Sequence, residues 1–383
     1  MDFLIEGILN VTWQQCVMYV IGALLIWLGI KKEYEPSLLV PMGFGAILVN
    51  FPFTSVLTQI FEGAPGTEPV VATGIIEWLF DIGIHASEAM PILLFIGIGA
   101  MIDFGPLLSN PSMFLFGGAA QFGIFFAISL AALLGFDLKD AASIGIIGAA
   151  DGPTSILVSQ VLGSNYVGAI AVAAYSYMAL VPIIQPAVIK LTTTKKERRI
   201  HMEYNPKNVS KTTRILFPII VTFVVGFISP QSVSLVGFLM FGNLLRECGV
   251  LGTLSDTAQN NLANLITLLL GITISFSMRA EDFVKVDTLL IMCIGLVAFI
   301  FDTFAGVMLA KIMNLFRKNK INPMVGAAGI SAFPMASRVV QKLAQKEEPG
   351  NIILMHAAGA NVAGQIASAV AGGLVIKLVL GMM

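Results

Sequence analysis

Charge is what this sequence has least of. Of its 383 residues only 12% are Asp, Glu, Lys or Arg, against roughly 25% in an ordinary soluble domain. A chain this poor in solvating side chains leaves little room for a soluble enzyme or a disordered tail. The balance of 22 cationic and 23 anionic residues gives no footprint for nucleic acid. Cysteine is also scarce: Cys16, Cys248 and Cys293 lie far apart and form no CxxC or metal-ligand spacing. The three histidines, His85, His201 and His356, are isolated, so zinc and redox chemistry are excluded as themes. Neither a GxxxxGK[ST] loop nor an aspartyl-phosphate motif is present, so no transport energy comes from ATP bound by this chain. What remains is an apolar majority of 56%, which reads as an all-α polytopic membrane protein.

The few charges set the topology. The N-terminal MDFLIEGILN has no basic region ahead of the apolar run 13–30, which predicts a retained span and not a signal peptide. Lys31 and Lys32 follow that run, eight cations fall in 190–214 and four in 311–320. Such clusters face the cytoplasm. The loop 52–89 carries five acids and no Lys or Arg, so it should face outward, as should the N-terminus. Ten spans are expected, near 13–30, 37–51, 86–103, 112–135, 166–189, 215–232, 234–247, 262–278, 287–310 and 351–377. Two further pieces, 143–163 and 325–345, fit the charge rule only as re-entrant broken segments.

The two halves resemble each other in order. SLLVPMGFGAILVN (37–50) is matched by SVSLVGFLMFGNLL (232–245), and FIGIGAMIDFGPLL (95–108) by LLGITISFSMRAED (269–282). IGAADGPTS (147–155) is matched by VGAAGISAFP (325–334). An odd number of crossings per copy inverts the second, which predicts an inverted-repeat transporter with its site at the interrupted segments. The divisions expected are an N-terminal helix (1–36), a first repeat (37–190), a cytoplasmic basic loop (191–214) and a second repeat (215–383).

Asp151, in GAADGPTSI, is the sharpest single residue. A carboxylate at membrane depth costs several kcal/mol unless it is paired or ligates a cation. Gly152 and Pro153 free backbone carbonyls beside it, and Thr154 and Ser155 add hydroxyls, an all-oxygen set suited to a hard cation. The alternative is an aspartate that merely caps the following helix. In NPMVGAAGISAFPMASRVVQ (322–341), Asn322 and Ser331 are neutral oxygen donors. Arg338 is either a carboxylate anchor or a snorkelling side chain. Asn361 needs an ion or a neighbouring helix, and Gln365 lies one turn on. Tyr175 and Tyr177 are mid-span, open to a ligand or proton-relay role. Asp302 is either a proton carrier or a helix-pairing aspartate.

GAADGPTSI (148–156), AAYSYM (173–178), NPMVGAAGISAFPMASRVVQ (322–341) and GANVAGQIASAV (359–370) together resemble the membrane beta subunit of the sodium-translocating carboxybiotin decarboxylases, from about residue 16 onward. The inverted repeat predicts an elevator-like displacement, and the resemblance implies a subunit in a prokaryotic inner membrane. It would decarboxylate carboxybiotin, take up a proton and export Na+. The implied partners are a soluble carboxyltransferase alpha subunit, a biotin carrier, a small gamma or delta membrane subunit and a second copy of the chain. Carried over by position, Asp151 is the sodium-binding aspartate. Tyr177, Asn322, Ser331 and Asn361 match positions linked to sodium or proton movement, and Arg338, with Ser331, the carboxybiotin end. A short region before Asp151 leans toward an acyl-CoA enzyme over an oxaloacetate one. Two rival readings stand: a Na+-coupled carrier of an organic anion, which would use the same fold and aspartate without biotin, and a non-catalytic membrane anchor, for which Asp151→Asn would spare decarboxylation.

Overall fold

The computed structural model describes residues 2–33, 36–61, 68–86, 88–203 and 209–382. Helices dominate. In the first half they are α1 (Trp13–Lys32), α2 (Pro36–Val49), α3 (Ala89–Met101), α4 (Phe114–Ala119), α5 (Phe122–Leu133), α6 (Leu138–Gly145), α7 (Gly152–Val161) and α8 (Val167–Thr192). The second half holds α9 (Lys211–Ile228), α10 (Val233–Glu247), α11 (Ala263–Ile274), α12 (Val286–Phe316), α13 (Met335–Glu347) and α14 (Leu354–Met382). The loop 52–89 departs from an all-helical reading. Its β-branched TQIF and PVVA pieces pair as β1 (Gln59–Phe61) and β2 (Val70–Ala72), antiparallel.

Among the described residues six stretches are long and apolar enough to cross a bilayer, and eight if two bent helix pairs are each one span. Ten were expected from the sequence. Two of those, α2 with 14 residues and α10 with 15, fall short of the roughly 20 residues a straight crossing needs. The run 166–189 bends by 67° between Met178 and Leu180. Pro182 explains the place, because it cannot donate to the Met178 carbonyl one turn earlier and its ring crowds that turn.

The chain divides into two compact units. The first comprises Met1–Pro91 and Asn264–Ile291, the second Ile92–Ala263 and Met292–Met383. Within the first, α1 starts at a capping box between Thr12 and Gln15 and packs on α2 where Gly22 meets Gly43. Asn50, buried just past the end of α2, donates to the carbonyl of Met278 at 2.9 Å and accepts from the Ala280 N–H at 2.7 Å.

Within the second unit Asn243 of α10 donates to the carbonyl of Ile102 at 3.0 Å. Gly99 and Gly242 let α3 and α10 approach closely. So 37–50 of the first half pairs with 269–282 of the second half, and 232–245 with 95–108. The broken segments pair likewise, since the Ser331 N–H donates to the Ala149 carbonyl at 3.1 Å. The segments matched in sequence thus exchange partners reciprocally.

Candidate functional site

The site is built at two breaks in the second unit. At the first, α6 tightens into a 3₁₀ turn (Ile146–Ala149), and Ala150 then adopts a left-handed conformation, φ +51°. That costs a non-glycine residue about 1 kcal/mol and redirects the chain into α7, with Pro153 in its first turn. At the second, the short helix Met324–Ala327 stops and the chain runs irregularly to α13.

Asp151 is 3% exposed and sits at the N-cap of α7. The capping reading therefore holds: Oδ1 accepts from the Thr154 N–H at 3.4 Å. Oδ2 does something a cap does not require. It accepts from the hydroxyls of Thr154 at 2.8 Å, Ser331 at 3.0 Å and Ser368 at 2.6 Å, and from the Gln365 amide at 3.3 Å. Four donors from three chain segments converge on one oxygen. Each hydroxyl also carries lone pairs, so the same atoms can turn from donors to the carboxylate into ligands of a cation. One carboxylate with neutral oxygens is the donor chemistry of a hard cation. Among the described residues no three His, Cys, Asp or Glu side chains gather.

Of the residues singled out in the sequence, Ser331 joins Asp151 directly. Asn361 donates to the carbonyl of Ile330, next to Ser331, at 2.7 Å, and its side-chain carbonyl is buried with no hydrogen-bond partner among the described residues. The others lie elsewhere. The Tyr177 hydroxyl donates to the Met292 carbonyl. Asn322 donates to the carbonyls of Arg198 and Ile200, both at 2.9 Å, and accepts from the Met324 N–H at 3.1 Å. Arg338 is exposed on α13 and makes no ion pair among the described residues.

Two residues were missed or undervalued. Ser368 was absent from the sequence reading, yet Asn361, Gln365 and Ser368 recur at i, i+4 and i+7, one face of α14 in a Gly/Ala span. Tyr175 packs its ring over Gly152, where any side chain would collide with it. The Tyr175 hydroxyl is buried with no hydrogen bond among the described residues, and its ring makes Tyr175, and not Tyr177, the tyrosine beside the Asp151 turn.

Next to the second break, residues 193–203 form a strap. Arg198, 6% exposed, pairs with Glu347 at 2.9 Å and donates to the Thr193 carbonyl at 2.6 Å. Asn351 reinforces Asn322 on the carbonyls of Arg198 and Ile200, both at 3.3 Å. Burial pushes the Glu197 carboxyl up, but the Thr194 N–H and hydroxyl and the Lys311 ammonium outweigh it and hold it below the usual carboxylate value.

The fold and this turn define a class: a polytopic helical membrane protein with a buried carboxylate–hydroxyl cluster between two broken helices. The comparisons with known proteins specify it further. The family described as Na+-transporting oxaloacetate decarboxylase beta subunit matches residues 14–379. The chain is 48% identical to the methylmalonyl-CoA decarboxylase subunit beta of Propionigenium modestum, covering 97% of this chain and 96% of that one. It is 47% identical to the glutaconyl-CoA decarboxylase subunit beta of Acidaminococcus fermentans, covering 98% and 96%. It is 42% identical to the probable oxaloacetate decarboxylase beta chain of Vibrio cholerae, covering 98% of both. The chain belongs to the family of membrane beta subunits of Na+-transporting, biotin-dependent decarboxylases. Its function is decarboxylation coupled to Na+ transport.

Proposed function

We propose that Asp151 binds the transported Na+, with Thr154, Ser331 and Ser368 as hydroxyl ligands and the Gln365 side chain behind them. The single observation that carries this is the convergence of three hydroxyls on one buried carboxylate oxygen. The carboxylate supplies the charge that offsets Na+ dehydration, and the hydroxyls replace its water. Asn361 steadies the Ser331 turn through the Ile330 carbonyl, and its free carbonyl oxygen is a further ligand. Tyr177 and Asn322, which the family resemblance links to sodium or proton movement, act at one remove. Asn322 ties the second break to the strap, and Tyr177 fixes α8 to the backbone of Met292.

In the reaction the carboxyl C–N bond of carboxybiotin breaks, CO2 leaves, and the ureido nitrogen takes up a proton. Arg338, exposed and without an ion pair among the described residues, faces that substrate from the cytoplasm, and Asp151 exchanges a proton for Na+ as the ion leaves. Carboxybiotin is presented by a carrier charged on a soluble carboxyltransferase alpha subunit, with a small gamma or delta membrane subunit beside the chain and a second copy as a further partner. Identity is higher to the acyl-CoA beta subunits than to the oxaloacetate chain, which supports an acyl-CoA substrate for the complex. The membrane is a prokaryotic inner membrane with the N-terminus outside, from the placement of Lys and Arg. Repeats 37–190 and 215–383, flanking the loop 191–214, supply an elevator-like motion.

The test is decarboxylation of free carboxybiotin by vesicles holding the chain, wild type against Asp151→Asn. Na+ stimulation in the wild type and its loss in the variant are expected. A wild-type rate indifferent to Na+ would sink the proposal. A crosslink that locked the repeats and left Na+ transport intact would remove the elevator.

A further inference from the structure

Resting on that reading, we infer that a second anion site receives the carboxylate of carboxybiotin before it reaches the reaction centre. The site is a cavity of about 630 Å³ in the second unit, between the strap and the loop after α12, and Arg338 does not line it. Its walls carry Arg317, Lys318 and Lys320 from the loop and His201 and Glu203 from the strap, with Ile321 at its base. The three loop cations are exposed and make no ion pair among the described residues. His201 is already engaged by Glu348 at 3.0 Å. One acid thus faces three unpaired cations, an excess that concentrates anions in a cleft.

Orientation in a membrane explains why cations occur on this loop. It does not explain why they ring a concave site at the entrance to the second break. Two features tie the site to that break. Asn314 grips both the N–H and the carbonyl of Ile321 at 2.7 Å, fixing its base. The next residue, Asn322, holds the wall opposite through Arg198 and Ile200. The Asn322 N–H also meets the Met202 sulfur at 3.3 Å. A guest pulled toward Arg317, Lys318 and Lys320 therefore bears on the segment that carries Ser331 to Asp151. The occupant is a carboxylate on a neutral ring, because the cavity exceeds what a bare inorganic anion fills and its donors are single charges. Lysines bind such a group as point charges and an arginine can grip it bidentately.

The experiment uses the full chain in phosphatidylcholine proteoliposomes with free carboxybiotin as the probe. It compares wild type, R317Q/K318Q/K320Q and the charge-preserving R317K/K318R/K320R. The neutral variant should raise KM for carboxybiotin about tenfold, the effect of removing charge-assisted contacts, with the Na+ concentration for half-maximal rate unchanged. The charge-preserving variant should stay well below that tenfold rise, because it keeps the three positive charges and exchanges only their geometry. An unchanged KM in the neutral variant overturns the inference. So does a KM shift that appears only when anionic phosphatidylglycerol is added, because the cluster then reads lipid headgroups. Failure of the wild type itself to decarboxylate carboxybiotin would instead remove the function on which the inference rests.

Discussion

Two of the aspartates buried in the second unit, Asp302 and Asp151, are held in opposite ways. Asp302, 0% exposed, places Oδ1 on the N–H of Gly123 at 2.5 Å, with Ile124 donating as well. These are second and third residues of α5, so Asp302 caps from α12 a helix that its own sequence leaves uncapped. No hydroxyl or amide side chain joins it, and Oδ2 has no partner among the described residues. Asp151 caps its own helix and in addition collects three hydroxyls and an amide. Burial and a helix N-terminus are common to both, so neither marks an ion site. The three converging hydroxyls set Asp151 apart, and the proposed Na+ site rests on them.

The comparison breaks first if the two carboxylates prove interchangeable. Asp151→Asn should lower Na+-stimulated decarboxylation by about 100-fold or more, since a neutral amide forfeits several kcal/mol toward a desolvated cation. Asp302→Asn should keep the Na+ concentration for half-maximal rate within about twofold, because an amide oxygen still accepts from Gly123. Loss of the Na+ response in Asp302→Asn would make it a second transport carboxylate.

Stability should divide the pair the other way. Asp302→Ala leaves the first N–H groups of α5 buried and unpaired, and should cost about 2 kcal/mol. That would appear as a lower melting temperature in detergent, the same with and without Na+. The Asp151→Asn variant should instead lose the stabilisation that Na+ gives the wild type, because a ligand that binds only the folded state raises its stability. Ser368→Ala sharpens the contrast further. It removes the shortest hydroxyl contact to Asp151 and should raise the Na+ concentration for half-maximal rate about fivefold, roughly 1 kcal/mol.

Much of this was legible in the sequence, and the rest was hidden for physical reasons. Asp151 stood out because a charge beside Gly-Pro in an apolar run has few explanations. Ser331 emerged from the repeat and the resemblance. Ser368 did not, because a serine in a Gly/Ala-rich helix satisfies itself on a backbone carbonyl as readily as it binds a ligand. The roles of Tyr175 and Tyr177 depend on which way α8 faces, and neighbours two apart in a helix point to different sides. The strap was invisible as a strap: Arg198 read as one cation in a basic loop until Glu347, distant in sequence, was brought beside it. The ten spans read from the sequence compare with six to eight by helix length among the described residues, because hydropathy measures apolar runs and not where a helix ends or bends.

The smallest effect tests whether Thr154 belongs with the hydroxyls or with the packing. Thr154 reaches Asp151 through its N–H and its hydroxyl, while its methyl lies against Gly372 of α14. Thr154→Val keeps the methyl and the N–H and removes only the hydroxyl. Thr154→Ser keeps the hydroxyl and removes the methyl. If Thr154 is a ligand, the valine variant should need about threefold more Na+ for half-maximal rate, under 1 kcal/mol, because two hydroxyls remain on Oδ2. The serine variant should match wild type in Na+ dependence and lose about 1 kcal/mol of stability from the buried methyl. The reverse result, with serine weakened toward Na+ and valine unaffected, would place Thr154 with the packing. Asp151 would then differ from Asp302 only by groups from the second half of the chain, the hydroxyls of Ser331 and Ser368 and the Gln365 amide.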